Sequence, residues 1–512
     1  MKPSSMQIKQ LVSQAAEAEA NLDFPKAFDL YEEALKLAPD SLEIATRLAA
    51  LAFRLNMWPM AEKLYSHLIT HGIHNMSVIT SFAASLREQS RYEEAIDVLK
   101  TVINQRPDES SLWEGLGTVM MAQGDGGNAL TFFNEALRLT PSNLHARFNR
   151  GCALLDQGEV NASLEDLGAC ANAFDDPDNR ASAQIAYAQG LLIAGRLDEG
   201  WRAYEGRERF GTAKQVHYAL WSQRWREGQP LANRNLLVSA EQGLGDEVLF
   251  ASILPDMIRD IGPEGILYLA VEPRLVPLFQ RSFPQAQVVG HRTQIIDGLL
   301  QRSFPALENA VTDGWALLGD FLPVYRKTVE DFPAENRFLT PDPERVAHWR
   351  RELAAISEKP KVGLLWKSLK QSAQRDRYFP AFEDMFGLLT LENVTFINLQ
   401  YGNSSAEAIL AEQNGLTMRT LPGIDLKDDL DDLAALCTAL DLVVSPSNAT
   451  SNISAACGVP TWFLSQANGW LQLGTDHYPW YPSVQMFAPP ALGNWKPAID
   501  DIAAALKERF AL

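Results

Sequence analysis

Ala95-Ile96-Asp97-Val98-Leu99 and Ala129-Leu130-Thr131-Phe132-Phe133 stand 34 residues apart, and the same step from small to large residue recurs on either side of them. The small residue returns at Ala27, Ala61, Ala95, Ala129 and Ser163, and the large one at Tyr31, Tyr65, Leu99, Phe133 and Leu167, one helical turn on. Twelve residues after the first four beats come Pro39, Ile73, Pro107 and Pro141, where proline stops the second helix of a unit. Trp113-Glu114-Gly115-Leu116-Gly117 opens the fourth unit, and its small residue lets two helices approach closely. Unrelated amphipathic helices do not hold one register for so long. The pattern predicts a solenoid of helical hairpins, an architecture that usually exists to hold another protein.

The chain has 512 residues, too many for one core, so two or three domains are expected. Its composition is that of an ordinary globular protein. A net charge of −19 argues against a nucleic-acid partner, because phosphate binding wants a basic face. A basic pocket for a small anion remains compatible with it. The four cysteines, Cys152, Cys170, Cys437 and Cys457, show no CxxC spacing and no Cys/His cluster. They read as buried apolar residues in a reducing compartment, with no metal site. Met1-Lys2-Pro3-Ser4-Ser5 lacks an apolar leader core and no apolar run reaches about 18 residues, so a cytoplasmic protein without membrane insertion is expected.

Helical hairpins are expected from about 8 to 208. The register slips after Ser163, and a looser unit over Ala186–Arg207 ends in Trp201, Tyr204, Glu205 and Arg207. Gly211–Asn235, with Trp221, Trp225 and Pro230, reads as an ordered connector whose aromatics pack between domains. From Leu236 the period changes. Short apolar runs at Leu236–Ser239, Ile266–Val271, Val288–Val289, Val362–Trp366, Val394–Leu399, Leu442–Ser445 and Thr461–Leu464 read as buried parallel strands separated by helices. They form two α/β series flanking Asn336–Lys359, a charged helical stretch that reads as a hinge. Two such halves place a site between them, at the carboxyl ends of the strands. The last helix, Ala498–Arg509, is amphipathic and caps the end.

Three constellations could carry chemistry. In Ser239-Ala240-Glu241-Gln242-Gly243-Leu244-Gly245-Asp246-Glu247 a strand runs into a glycine-rich turn and a helix, and Asp246 becomes a first-turn carboxylate facing the cleft. Gly243 and Gly245 there allow positive φ and close approach of a ligand to backbone; a plain helix-capping Asp is the alternative. In Gly363-Leu364-Leu365-Trp366-Lys367-Ser368, followed by Arg375 and Arg377, Lys367 ends a buried strand and either meets a phosphate or is simply solvated. In Asp441–Pro460 a buried strand leads into Ser447-Asn448-Ala449-Thr450-Ser451-Asn452, whose hydroxyls, amides and helix N–H groups suit a phosphate or sugar. A capping box accounts for one or two of these residues only. Asp429-Leu430-Asp431 spells the acidic triplet of metal-dependent sugar transferases but reads better as a solvated helix start. His477, in Asp476-His477-Tyr478-Pro479-Trp480-Tyr481-Pro482, either lines the cleft or belongs to a loop anchored by aromatics.

Taken in order, Trp201-x-x-Tyr204-Glu205-x-Arg207, Glu241–Asp246, Val362–Trp366, Leu399-Gln400-Tyr401-Gly402, Asp441–Pro460 and Trp480-Tyr481-Pro482-Ser483 make the chain resemble bacterial proteins in which tetratricopeptide repeats precede a GT-B glycosyltransferase domain. That domain is related to heptosyltransferases and, more distantly, to O-GlcNAc transferase. The resemblance implies an α-solenoid followed by an α/β GT-B fold of two Rossmann-like halves. The implied division is 1–208 for the repeats, whose concave face takes a protein acceptor, 209–235 for a connector, 236–345 for the acceptor-side half and 346–512 for the donor-side half. It implies that Asp246 activates the acceptor hydroxyl and that Lys367 meets the donor phosphates, with Gly243, Gly245, Gln400, Ser447, Asn448, Ala449, Thr450, Ser451 and Asn452 lining the donor site.

The donor stretch departs from the family pattern, Asp-Thr followed four residues later by His, by carrying Ser447, Asn448 and Asn452. The departure leaves open which CMP- or UDP-linked sugar is used. Some relatives of this layout modify flagellin with nonulosonic acids from CMP donors, and the resemblance makes flagellin the leading acceptor. The implied reaction is an inverting O-glycosyl transfer to Ser or Thr with no metal or cofactor beyond the nucleotide-sugar substrate. Two other readings stand beside it: a non-catalytic repeat scaffold with a degenerate GT-B module, and a transferase acting on a glycan or lipid carrier.

Overall fold

The computed structural model describes residues 5–21, 23–208, 216–220, 222–241, 243–296, 299–334, 337–368, 375 and 377–511. The chain divides into two compact units, Met1–Asp175 and Asp176–Leu512.

The first unit consists of antiparallel helix pairs: α1 (Ser5–Ala20), α2 (Phe24–Leu37), α3 (Leu42–Arg54), α4 (Trp58–Thr70), α5 (Met76–Glu88), α6 (Tyr92–Ile103), α7 (Ser110–Gln123), α8 (Gly126–Leu139), α9 (Leu144–Asp156) and α10 (Val160–Cys170). The 34-residue beat falls on the second helix of each pair, and Ala27, Ala61, Ala95, Ala129 and Ser163 are all 0% exposed. Serine fits the fifth place because its hydroxyl donates to the Gly151 carbonyl at 2.7 Å, leaving no buried polar group unpaired. In the fourth and fifth pairs the large residue one turn later fills the space over a glycine of the preceding helix. A Cβ on Gly117 would lie 2.4 Å from Phe133 Cε1, and one on Gly151 would lie 2.8 Å from Leu167. Caps at Asp23, Ser41, Asn75, Asp125 and Asn143 start five of the helices by accepting backbone N–H groups.

Gly117→Ala is therefore expected to destabilise this unit by about 1–3 kcal/mol through overpacking against Phe133. Urea unfolding of the full chain checks it, and Gly117→Ala combined with Phe133→Leu should recover part of the loss. An unchanged midpoint in the single variant would mean that the helices shift apart at no cost.

The second unit opens with α11 (Pro177–Ile193) and α12 (Leu197–Ala203). These helices fall inside the stretch expected as repeats up to 208, yet the compact-unit boundary lies after Asp175. The reason is hydrophobic: Ile185, Ala188, Leu192, Leu197, Trp201 and Tyr204 share one buried core with Val248, Phe250 and Trp480 of the α/β region.

The strands are β1 (His217–Tyr218), β2 (Asn235–Ser239), β3 (Ile266–Val271), β4 (Ala286–Gly290), β5 (Arg292–Ile296), β6 (Leu299–Ser303), β7 (Gly314–Leu317), β8 (Lys361–Leu364), β9 (Thr395–Asn398), β10 (Leu442–Pro446), β11 (Thr461–Leu464) and β12 (Val484–Phe487). They form two parallel sheets, ordered β4-β3-β2-β7 and β12-β11-β10-β8-β9, and a small mixed sheet, β1-β6-β5. Every strand expected from an apolar run is present. Sequence reading missed the two-residue β1, the strands β7 and β12, and the hairpin β5–β6, in which β5 buries no residue. The expected strand Val362–Trp366 ends at Leu364.

The expected hinge, 336–359, is largely a docked helix, Pro343–Ile356; Asn336 lies outside the described residues. Trp349 Nε1 donates to Asp432 at 2.8 Å and Arg345 pairs with Asp429 at 2.9 Å, so the 345/346 boundary falls within a helix fixed to Leu430–Ala439. One contiguous buried core also takes residues from both parallel sheets, Val238 and Leu269 from the first and Val443 and Phe463 from the second. In the expected connector, Trp225 stacks on Phe321 with ring centroids 4.5 Å apart, inside the second unit, and Trp221 lies outside the described residues. The last helix, Lys496–Arg509, buries Ala498, Ile499, Ile502 and Leu506 in the core of the second sheet. All four cysteines are free thiols, and burial pushes each thiol up. No helix among the described residues is long and apolar enough to cross a membrane.

Candidate functional site

The second strand, β2, delivers the chain to α13 (Leu244–Phe250), and Asp246 stands in its first turn. Neither Gly243 nor Gly245 has positive φ, contrary to expectation; Gly243 is extended at φ −70° and ψ 161°. Gly245 serves instead as a point of close approach. A Cβ there would lie 3.4 Å from Ala449 N and 3.5 Å from Asn452 Nδ2. The glycine-rich turn is thus pressed against the amino end of the helix Ala449–Ala456, which follows β10. Gln242 lies outside the described residues.

Two opposed features meet there. Asp246 is partly buried, and burial, aided by neighbouring Glu247, pushes its carboxyl up to about 6. Tyr204, Tyr478 and Tyr481 surround it: burial raises each phenol, and the Asp246 charge raises each further. Opposite, Asn448 caps the helix, its Oδ1 accepting from Ser451 N at 3.2 Å while Ser451 Oγ accepts from Asn448 N at 2.9 Å. Ala449 and Thr450 are the first two residues of that helix, where backbone N–H groups have no intrahelical acceptor. Buried Asn452 donates through Nδ2 to Asn448 O at 2.8 Å, while its Oδ1 has no partner. The Asp246 carboxyl is engaged by Gly243 N–H at the start of its own helix, the capping arrangement raised as the alternative, and Gly245 beside it brings that turn against the amino end of the helix Ala449–Ala456.

The polar run thus divides. Asn448 and Ser451 spend their side chains on the capping box, and Thr450, Ser451 and Asn452 are buried. Ser447, Asn448 and Ala449 keep partial exposure. Lys367 follows β8, the parallel neighbour of β10, so it stands at the same strand ends. Its ammonium is paired with Glu407. Gln400, after β9, is buried and fully engaged: Oε1 accepts from Trp366 N at 3.2 Å and Lys367 N at 3.0 Å, and Nε2 donates to Lys367 O and Tyr401 O. Its amide positions the Lys367 loop. Lys367 also lines a cavity of about 520 Å³ with Trp366, Arg377, Phe379, Phe382 and Glu407.

Sequence reading missed the strut behind Asp246. Arg207, almost wholly buried, donates to Glu241 at 2.9 Å and pairs with Asp320, which Arg224 also holds at 2.9 Å. Burial raises the Glu241 carboxyl despite Arg207. Trp201 Nε1 donates to Arg326 O at 2.7 Å, and Tyr204 packs on Trp470. Trp201, Tyr204 and Arg207 thus brace the turn that carries Asp246. Spacing alone paired none of these residues; Arg207 and Glu241 are 34 positions apart.

The weaker sequence signals resolve as structure. Asp429 caps its helix by accepting from Asp432 N at 2.9 Å. Asp431 is not solvated but buried in a two-pronged pair with Arg281 at 2.7 and 2.8 Å. His477 is exposed beside Asp476, while Tyr478, Trp480 and Tyr481 anchor the loop in the core.

Residues 81–143 match the family model described as tetratricopeptide repeat, and the first unit is a solenoid of such repeats. Type IV pilus assembly protein PilF of Pseudomonas aeruginosa is 30% identical over 110 residues, 21% of this chain and 43% of its own length. Among solved structures, a thermophilic tetratricopeptide-repeat protein of Thermus thermophilus is 20% identical, covering 36% of this chain and 99% of its own at a TM-score of 0.31. Protein FlbA of Caulobacter vibrioides is 44% identical over 488 residues, which take in 95% of this chain and 82% of the relative. Likeness on that scale reaches both the repeats and the α/β unit, and the chain belongs to the family of protein FlbA.

Proposed function

We propose that the protein is an inverting, metal-independent GT-B glycosyltransferase that moves a sugar from a CMP- or UDP-linked donor to Ser or Thr of a protein acceptor, with flagellin the leading candidate. One observation carries the reading: the Asp246 carboxyl, raised to about 6, stands next to Gly245, where its turn meets the amino end of the helix Ala449–Ala456. In the proposed step the acceptor oxygen bonds to the anomeric carbon, its proton passes to Asp246, and the carbon–oxygen bond to the donor phosphate breaks with its electron pair on phosphate. The growing phosphate charge is met by the Ala449 and Thr450 N–H groups and by Lys367 once it leaves Glu407. The concave face of the repeats holds the acceptor protein, and a cytoplasmic location fits such a reaction.

Intact mass of flagellin co-expressed with and without the protein tests the reading; equal masses would sink it. Titration calorimetry with CMP and UDP tests the donor side. Lys367→Ala is expected to weaken the better-bound nucleotide about tenfold, and Glu407→Gln to tighten it, because the pair competes with phosphate. A second reading, a non-catalytic repeat scaffold, is favoured by the self-capped Asn448–Ser451 box and the Lys367–Glu407 pair, which leave few side chains free for a donor. Binding of neither nucleotide would select it.

A further inference from the structure

The small sheet β1-β6-β5 ends in a free edge among the described residues. That edge is Arg292-Thr293-Gln294-Ile295-Ile296, exposed along its length, with Ile295 at 73% and Ile296 at 46%. A sheet edge presents a row of unpaired N–H and C=O groups, and proteins normally blunt it with lysine, proline or a bulge. Strand β5 contains no lysine or proline and pairs with β6 in unbroken register from Arg292↔Ser303 to Ile296↔Leu299.

The start of this edge adjoins the proposed site. His291, the residue before β5, has Nε2 3.4 Å from Glu247 Oε1, and Glu247 follows Asp246 in α13. Arg302, opposite Thr293 in the ladder, donates to the Ala240 carbonyl, immediately before the Glu241 turn. Its Nε also donates to Thr293 Oγ1 at 3.0 Å, stiffening the hairpin. Independently, Arg292 and Gln294 line a cavity of about 310 Å³ with Ser303, Phe304, Leu307 and Glu308. Side chains on one face of a strand repeat every second residue, so a strand laid against β5 would carry alternate side chains over that cavity.

We infer that β5 is a docking strand for the acceptor: an extended polypeptide segment bearing the target Ser or Thr pairs its backbone with β5 and reaches Asp246 at the His291 end. This rests on the transferase reading. A polypeptide matches the spacing of N–H and C=O groups along the whole of such an edge and a glycan does not, so the partner is a polypeptide. Main-chain pairing supplies affinity over varied sequences, and the side cavity, with Phe304 and Leu307 beside Arg292 and Glu308, receives the side chains at alternate positions.

The test places p-benzoylphenylalanine at Ile295 of the full chain and irradiates it with flagellin, using exposed Ile409 on the helix Ser405–Gln413 as the control position. The expected product is a flagellin crosslink from 295, mapping beside a modified Ser or Thr, and none from 409. Ile295→Lys is expected to raise the KM for flagellin about tenfold while nucleotide affinity by calorimetry stays unchanged. An unchanged flagellin KM, equal crosslinking from both positions, or crosslinks only to a second copy of this chain overturns the assignment. If wild-type protein binds neither CMP nor UDP, the transferase reading falls alone, and the crosslink from 295 still decides whether β5 takes a polypeptide.

Discussion

Asp246→Asn is expected to reduce glycosyl transfer by about 10²–10⁴-fold, the usual contribution of a positioned general base, while leaving nucleotide affinity unchanged. The same substitution is expected to stabilise the fold at alkaline pH. The native carboxyl titrates at about 6 against an ordinary 3.8, so the folded chain holds a proton that the unfolded chain has released. Stability from this protonated group is complete below about pH 4 and is lost as pH rises through about 6. Asparagine stays neutral throughout, so the variant should gain about 2–3 kcal/mol over wild type at pH 8 and nothing at pH 4. Wild-type transfer should halve near pH 6 and fall about tenfold for each further unit of acidification. Denaturant midpoints across that range, with intact-mass assays of flagellin, read both effects. Full activity in the variant removes Asp246 from the role of base; pH-independent stability differences remove the buried carboxylate.

Arg207→Ala is expected to cost the second unit about 3–5 kcal/mol, because it strands the buried Glu241 carboxylate and takes one of the two arginines from Asp320. The transition to follow is that of 176–512, resolved by near-ultraviolet signals from Trp201, Trp225 and Trp480, which are buried there. Arg207→Ala combined with Glu241→Ala should be less destabilised than Arg207→Ala alone, since no unpaired carboxylate remains at 241. A double variant as unstable as the single one would mean that packing, not charge pairing, sets the cost. Because Glu241 precedes the Asp246 turn, the single variant should also lose transfer at temperatures where it is still folded.

The repeat was legible because its cause is local. A helix pair needs a small residue at the crossing and a large one a turn later, and Ala95/Leu99 and Ala129/Phe133 state that need directly. Buried parallel strands were legible for a similar reason: Ile266–Val271 and Leu442–Pro446 are apolar on both faces. The hairpin β5–β6 was not, since β5 buries nothing and so shows no apolar run. Glycines misled where two physical needs share one residue. Gly243 and Gly245 suggest positive φ and close approach of a ligand to backbone, and Gly245 proves to be a point of close approach, but for Ala449 and Asn452 of the same chain. In the polar run Ser447–Asn452 a capping box is expected to take one or two residues, and Asn448 and Ser451 are those two; which of the six they are follows only from where the helix starts.

Periodicity along the chain determined that there are helical hairpins, then two parallel α/β series, because burial period follows from backbone geometry alone. It could not determine which core a helix joins. The helices α11 and α12 carry the same pattern whether they stack on repeats or on Val248 and Trp480, and only the folded chain assigns them to the second unit. The same holds for the candidate site. Asp246 becomes a raised carboxyl in a turn pressed on a helix end only when residues some 200 positions apart are packed together, since desolvation belongs to surroundings that no single segment contains.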